Sequence, residues 1–338
     1  MGFRHRARVL AGAALAAVLL TACSGSDAPR PAPAREDPLS GARFHVDPAG
    51  HAVQQVERWR AEGRTQEAAA LQPLAARPTA VWFAGQHPDP AAAAAALVRA
   101  AAAEGSVPVL VLYNLPGRDC GQFSAGGAAS PEAYRAWVGG IAAGIGDARA
   151  VVVLEPDAVP HLLEGCEQAP VDAPTRVQLL NAAVDTLARG ARTSTYLDAG
   201  NSSWVGDRAE LARQLEAAGV GRAAGFALNV ANFETTATST AYGRALSDRL
   251  GGAHFVVDTS RNGNGPGDTW CNPPGRALGD PPTTETGDAR VDAHLWVKQP
   301  GDSDGECGRG QPPAGAWWPE QALALAAATP RISPRPAG

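Results

Sequence analysis

From residue 39 onward, short apolar runs recur, each followed by a polar loop and then a stretch with helical spacing. The runs are Ala80–Phe83, Pro108–Tyr113, Ala150–Leu154, Thr193–Leu197, Gly225–Leu228, His254–Val257 and His294–Val297. Bounded apolar runs of this length predict strands. Between them lie amphipathic or alanine-rich stretches: Pro90–Ala103, Pro131–Ile145, Ala173–Gly190, Asp207–Ala218 and Ala237–Leu250. Pro319–Ala328 reads as a closing helix. Strands alternating with helices predict a parallel sheet wrapped by helices, in the α/β class. One continuous series of about seven parallel strands predicts a distorted (β/α) barrel, roughly one strand short of the usual eight, with a cleft at the C-terminal ends of the strands. An open doubly wound sheet is the alternative. No G-x-G-x-x-G opens a helix after the first strand and no phosphate loop is present, which argues against nucleotide binding.

The strand ends carry the chemistry. Residues 151–163 read VVVLEPDAVPHLL, a strand that stops at Pro156 between two acids. Proline cannot donate to a ladder, and Asp157 could simply cap the next helix. Every other predicted strand also ends in polar or aromatic residues. Trp82 lies on the first, and Tyr113, Arg118 and Asp119 follow the second. Asp198, Asn201 and Trp204 follow the fourth, and Asn229 and Asn232 the fifth. Asp258, Arg261 and Asn262 follow the sixth, and Lys298, Asp302 and Asp304 the seventh. In a parallel barrel these ends converge on one face. A cleft of carboxylates, amides and flat rings suits a sugar, whose C–H faces stack on aromatics. Hydrolysis of a glycosidic bond requires two carboxyl groups in different protonation states. There is no candidate metal cluster, no G-x-S-x-G elbow and no cofactor signature.

Composition adds limits. The 338 residues carry a net charge of −5 and no basic patch beyond the extreme N-terminus, so nucleic acid is not an expected partner. Arg4, His5, Arg6 and Arg8 precede an apolar run, Val9–Leu20, that is too short for an ordinary span. With Leu20-Thr21-Ala22-Cys23 it resembles a bacterial lipoprotein signal, residues 1–22, cut before a lipidated Cys23. Residues 23–38 read as a proline-rich tether, 39–330 as the catalytic domain and 331–338 as a disordered tail. Contact with a membrane is expected only through that lipid. Cys120, Cys166, Cys271 and Cys307 remain, an even number in an exported chain. Chain order suggests Cys120–Cys166 and Cys271–Cys307, with the other two connectivities open.

Four ordered segments then resemble glycoside hydrolase family six, the inverting cellulases. They are VLYNLPGRDCGQFSAGG (111–127), VVVLEPDAV (151–159), YLDAGNSSWVG (196–206) and the stretch from VVDTSRNGNGPGDTWCNPPGRALG to LWVKQPGDSDGEC (256–307). The last resembles the bacterial branch. The resemblance runs from about residue 42 to residue 329. It implies Asp157 as general acid and Asp119 as the neighbour that raises its pKa and manages the attacking water. It implies Tyr113 as the group distorting the sugar and Asp304 as the disputed base, with Arg261 and Lys298 as cationic neighbours. Trp82, Trp204, Trp270, Lys298 and Asp302 match sugar-binding positions. The family's two disulfides fall on the sequential pairs.

Plainer readings stand beside these. Asn201 and Asn229 are taken as further substrate-binding candidates, although Asn229 and Asn232 could equally serve loop backbone, and Asp198 is a candidate structural acceptor. Arg118 is grouped with Arg261 and Asp198 as an electrostatic support. Trp59, Trp137, Trp317 and Trp318 read as packing, and His161, His254 and His294 as structural. Two departures touch the site: Asn201 stands where many relatives have histidine, and Ala125 where some have serine. The loop from Lys298 to Trp317 is short, which favours an open groove and internal cutting of a β-1,4-glucan by a monomer. A cellobiohydrolase cutting from chain ends, or a non-catalytic sugar-binding lipoprotein, are the rivals.

Overall fold

The computed structural model describes residues 1–2, 37–166 and 170–329. Nearly all of the signal, Cys23 and most of the tether lie outside the described residues, as does the tail. Asp37 and Pro38, the last two tether positions, are held: Arg149 donates to Pro38 O at 3.0 Å and Leu39 N to Asp37 Oδ1 at 2.7 Å.

Helix starts follow local chemistry. Asp89, Ser130, Asp172, Asp207 and Thr235 each accept from a backbone N–H of the first turn. They open α3 (Pro90–Ala103), α4 (Pro131–Ile145), α6 (Ala173–Leu187), α7 (Arg208–Ala218) and α8 (Thr236–Arg249). Proline in the first turn of α3, α4, α5 (Pro160–Glu164), α6 and α9 (Pro319–Ala328) loses no bond the helix could have made. Two helices were not among the expected elements, α1 (His51–Ala61) and α2 (Thr65–Ala75). Val56 and Trp59 of α1 pack with Leu71 and Leu74 of α2 and Leu325 of α9 in a satellite core that Trp296 joins to the sheet.

The strands are β1 (Val81–Phe83), β2 (Val109–Leu112), β3 (Ala150–Leu154), β4 (Thr193–Asp198), β5 (Gly225–Leu228), β6 (His254–Asp258) and β7 (Val291–Leu295). All neighbours pair in parallel, in chain order. The sheet curls into a distorted barrel rather than lying open and doubly wound. Its outer strands β1 and β7 approach through Ala80 N, which donates to Trp296 O at 2.9 Å, and Trp82 Nε1, which donates to Val297 O at 2.9 Å.

Residue alternation divides the core. Leu110, Leu112, Val152, Leu154, Leu197, Phe226 and Phe255 face the helices. Val109, Val111, Val151, Val153, Tyr196, Ala227, Val256 and Leu295 fill the barrel interior. Central strands buried on both faces therefore read as unbroken apolar runs. Each fully buried large side chain contributes about 1.5–3 kcal/mol.

The seventh strand starts three residues before its expected position, because Asp292 sits inside it. Tyr196 Oη donates to Asp292 Oδ2 at 2.7 Å, and His254 Nδ1 lies 2.6 Å from Oδ1. Those partners make the buried carboxylate tolerable in a strand. The strand also ends early, because Asp258 takes the Val297 and Lys298 amides at 3.2 and 3.0 Å.

Candidate active site

Three strand-end acids are staples. Glu155, after β3, accepts from Asn114 N and Leu115 N, both at 3.0 Å, tying down the loop after β2. Asp198, closing β4, accepts from Asp157 N at 2.9 Å and Gly200 N at 3.1 Å. Asp258, closing β6, accepts from Ala231 N, Ser260 N, Val297 N and Lys298 N, joining the ends of three strands. All three are buried. Burial pushes Glu155 and Asp198 up to about 7, against the pull of these amide bonds.

Asp157 faces the cleft above them. Its backbone stands at φ 70°, and that of Glu155, two residues earlier, at 50°. The Asp198 bond to Asp157 N holds that left-handed turn and aims the side chain. Tyr113 Oη donates to Asp157 Oδ2 at 3.4 Å. Burial raises the Asp157 carboxyl well above the carboxylate range, and the charges of Asp198 and Asp119 raise it further. Both effects favour its protonated form.

Asp119 sits at φ 55° in the loop after β2, beside Cys120 at 47°. Ser124 N donates to its Oδ2 at 2.6 Å, and desolvation raises its carboxyl. Arg118 lines the cleft, but its guanidinium is engaged by backbone carbonyls. It donates to Ser124 O at 2.7 Å, Ala84 O at 2.7 Å and Tyr113 O at 2.9 Å, and its guanidinium lies 5.1 Å from the Tyr113 ring centroid. The Cys120–Cys166 disulfide fastens this loop to the segment after α5.

Across the cleft Asp304 has the opposite electrostatics. Arg261 reaches its oxygens at 2.9 and 3.1 Å, Lys298 Nζ lies at 3.6 Å, and Asn272 N donates at 2.9 Å. Burial alone would raise its carboxyl, but the two cations outweigh burial and hold it below the ordinary range. Cys271–Cys307 closes the same loop pair.

These groups line one cleft of about 1160 Å³. One arm carries Trp82, Lys298, Gln299, Asp302 and His51; the other carries Asn201, Trp204, His161 and Glu164. Trp204 is oriented by Glu164, which accepts from its Nε1 at 2.5 Å. His161 packs edge-on against Trp204, and burial lowers its ring to about 4, so it is neutral. Phe123 and Trp270, the exposed rings of two separate loops, meet at the rim with centroids 5.6 Å apart. Among the described residues no group of His, Cys, Asp or Glu could hold a metal ion.

The model of the family "Glycosyl hydrolases family 6" matches residues 39–329. The chain belongs to that family. It is 45% identical over 294 residues to endoglucanase A of Cellulomonas fimi, covering 86% of this chain but 61% of that one. It is 42% identical to endoglucanase 1 of Streptomyces halstedii, covering 83% of this chain and 88% of the relative. Among solved structures, the endoglucanase Cel6 of Mycobacterium tuberculosis, bound to a thio-linked cellobioside, superposes with a TM-score of 0.81 at 42% identity. That match covers 87% of this chain and 99% of the neighbour.

Within this family 6 chain, Asp157, Asp119, Asp304, Tyr113, Trp82, Trp204, Asn201, Trp270, Lys298 and Asp302 all line the cleft. Asn229 does not. Its amide is wholly buried, donating to Glu234 O and Asp258 O and accepting from Glu234 N, so no polar atom is left for a ligand. Arg261 and Asp198 are buried behind the wall and act on cleft residues instead. Asn201 spends Oδ1 on Ser203 and Trp204, shaping the aromatic arm. Sequence reasoning missed His51, Glu164 and the cleft-facing position of His161. For His51 the available signal was the amphipathic spacing of Ala52, Val56 and Trp59 directly after it.

Proposed function

We propose that this family 6 chain hydrolyses internal β-1,4 bonds of a cellulose-like glucan with inversion at the anomeric carbon. Asp157 gives its proton to the glycosidic oxygen as the C–O bond breaks. Water attacks the anomeric carbon from the opposite face and loses its proton to a base, giving an α-configured product. Asp119 supplies the negative charge that keeps Asp157 protonated and, with the Ser124 loop, manages the attacking water. Asp304 remains ionised and faces developing positive charge on the sugar; locked by two cations, it is a weak base. Tyr113 supports Asp157 beneath the cleaved unit, while Trp82, Trp204 and Trp270 stack flanking glucose units.

What carries the reading is the contrast within one cleft: Asp157 held protonated by burial and like charge, Asp304 held ionised by Arg261 and Lys298. Internal cutting is supported by the endoglucanase names of relatives at 42–45% identity. Two disulfides support an exported, oxidised setting. Anchoring through Cys23 and a monomeric state belong to the same proposal.

Reducing-sugar release from carboxymethyl cellulose tests it. Asp157→Ala should abolish that release yet retain far more activity on a glucoside with an activated leaving group, which needs no proton. Proton NMR of the first product should show the α-anomer. First release of β-anomer, or near wild-type glucan cleavage by Asp157→Ala, refutes the assignment.

A further inference from the structure

His51 has no role in the chemistry above, yet it lies in the cleft. It is the first residue of α1, with 45% of its side chain exposed. Its Nδ1 lies 2.8 Å from Asp302 Oδ1, and its ring stands 5.8 Å from that of Trp317. The pairing links residues 251 positions apart, joining the N-terminal helix to the loop after β7. Asp302 is itself fixed: its N donates to Gln299 O at 3.0 Å, and it bridges to Trp317. The floor of this arm is Trp82, whose ring is locked by its bond to Val297 O and set edge-on to Tyr113 at 5.5 Å.

The chemistry of the pair suits a sugar better than either group does alone. A hydroxyl both donates and accepts. An ionised Asp302 offers only acceptors, and Oδ1 already faces His51. If Nδ1–H of a protonated imidazole is given to Asp302, Nε2–H remains as a donor on the exposed side. In the neutral ring that keeps Nδ1–H, Nε2 becomes an acceptor, and the pair loses its outward donor. We infer that His51 is a glucan-binding and specificity-determining residue: with Asp302 it forms a donor–acceptor pair that grips one glucose unit stacked on Trp82.

The charged surroundings favour the donor form. The bond to Asp302 raises His51 above its ordinary value, against the lowering effect of burial, and the Asp302 charge adds to the rise. Asp302 is the charged group facing it from the loop after β7, and Trp317 contributes an uncharged ring. Asp47, in the turn leading into α1, lines the same arm, but its Oδ1 accepts from Ala49 N at 2.9 Å. Lys298 lies further in, against Asp304 and Ser303 O.

This inference rests on the glucan reading but is tested separately. The wild-type protein's activity on carboxymethyl cellulose tests the reading. For His51, kinetics on cello-oligosaccharides of increasing length are compared between wild type, His51→Ala and His51→Gln. His51→Ala should raise KM by about 3- to 10-fold, the loss of roughly one hydrogen bond, while kcat changes by less than twofold. The penalty should appear only with oligosaccharides long enough to reach Trp82. Wild-type KM should climb as pH rises through the histidine's titration, and the climb should vanish in His51→Ala. His51→Gln, which restores a donor that does not titrate, should recover affinity without the pH dependence. Calorimetric binding of cellotetraose to Asp157→Ala and to the Asp157→Ala/His51→Ala double variant gives the same comparison with turnover removed. Unchanged KM and affinity in His51→Ala, with or without a lower melting temperature, would overturn the inference and leave His51 as a helix-end residue.

Discussion

Replacing Asp304 with asparagine removes a single charge from the most enclosed ion cluster of the cleft. Arg261 is 1% exposed and the Asp304 side chain 3%, so neither can turn to water when its partner is lost. Asparagine fits the space, but its amide group can accept through only one oxygen. Two Arg261 nitrogens, Lys298 and Asn272 N would then present four donors to that one oxygen. Either an N–H faces an N–H or a cation stands unpaired. Breaking one side of a buried pair costs about 3–5 kcal/mol. At about 2–4 °C per kcal/mol for a domain of this class, the melting temperature should fall on the order of 10 °C. The pH dependence is diagnostic. The folded carboxyl lies below its unfolded value, so its stabilisation is fully present above about pH 4, the unfolded value, and is lost as pH falls through the lower folded one. Melting curves of wild type and Asp304→Asn across that range should therefore run apart at neutral pH and converge in acid. A neutral-pH difference below about 1 kcal/mol, in the range of an exposed pair, would refute the argument. So would a gap that widens on acidification.

Two further outcomes follow from the staples and the loops. Asp198→Asn removes a negative charge that raises Asp157, so Asp157 should ionise at lower pH and the basic limb of the kcat profile should move towards acid; an unmoved limb would show that Asp198 acts only through the Asp157 amide. Cys120→Ser should cost about 2–4 kcal/mol in denaturant titration and lower kcat even well below the melting temperature, because the disulfide begins at the residue after Asp119; kcat equal to wild type would separate the disulfide from the site.

Much of the fold was legible because its periodicities are local. Pro90, Pro131 and Pro319 mark helix starts by their own backbone limits, and strands β3 and β5 coincide with the apolar runs that predict them. β7 was misplaced because its inward carboxylate, Asp292, is satisfied by Tyr196 and His254 from strands far away in sequence. The site shows the same divide. Acids at strand ends were visible in sequence, but only the family resemblance, not the periodicity, singled out Asp157 from its neighbours. Glu155, Asp198 and Asp258 look like Asp157 in a list of residues; only the positions of neighbouring amides separate a staple from an acid open to substrate. Asn229 was assigned to substrate for that reason. His51 was overlooked because its value depends on a partner 251 positions away.

The left-handed backbone positions carry a consequence for how this cleft can change. Among the described residues, eight non-glycine positions have positive φ: Asp119, Cys120, Glu155, Asp157, Asn229, Ala231, Asn272 and Cys307. All lie in strand-end loops around the site, and four are aspartate or asparagine, which tolerate this region better than other side chains. The identities of Asp119 and Asp157 thus answer two demands, one for a carboxyl and one for a short side chain over a reversed backbone. Glu155 shows that glutamate can hold such a backbone where the Asn114 and Leu115 amides pin its carboxylate, but at Asp119 or Asp157 it would carry the acid one methylene further from its place, and asparagine or glycine would meet only the second demand. Neutral drift, or a designed library, has few routes through either residue: nearly every step that keeps the backbone loses the acid, and the step that keeps the acid moves it off its aim.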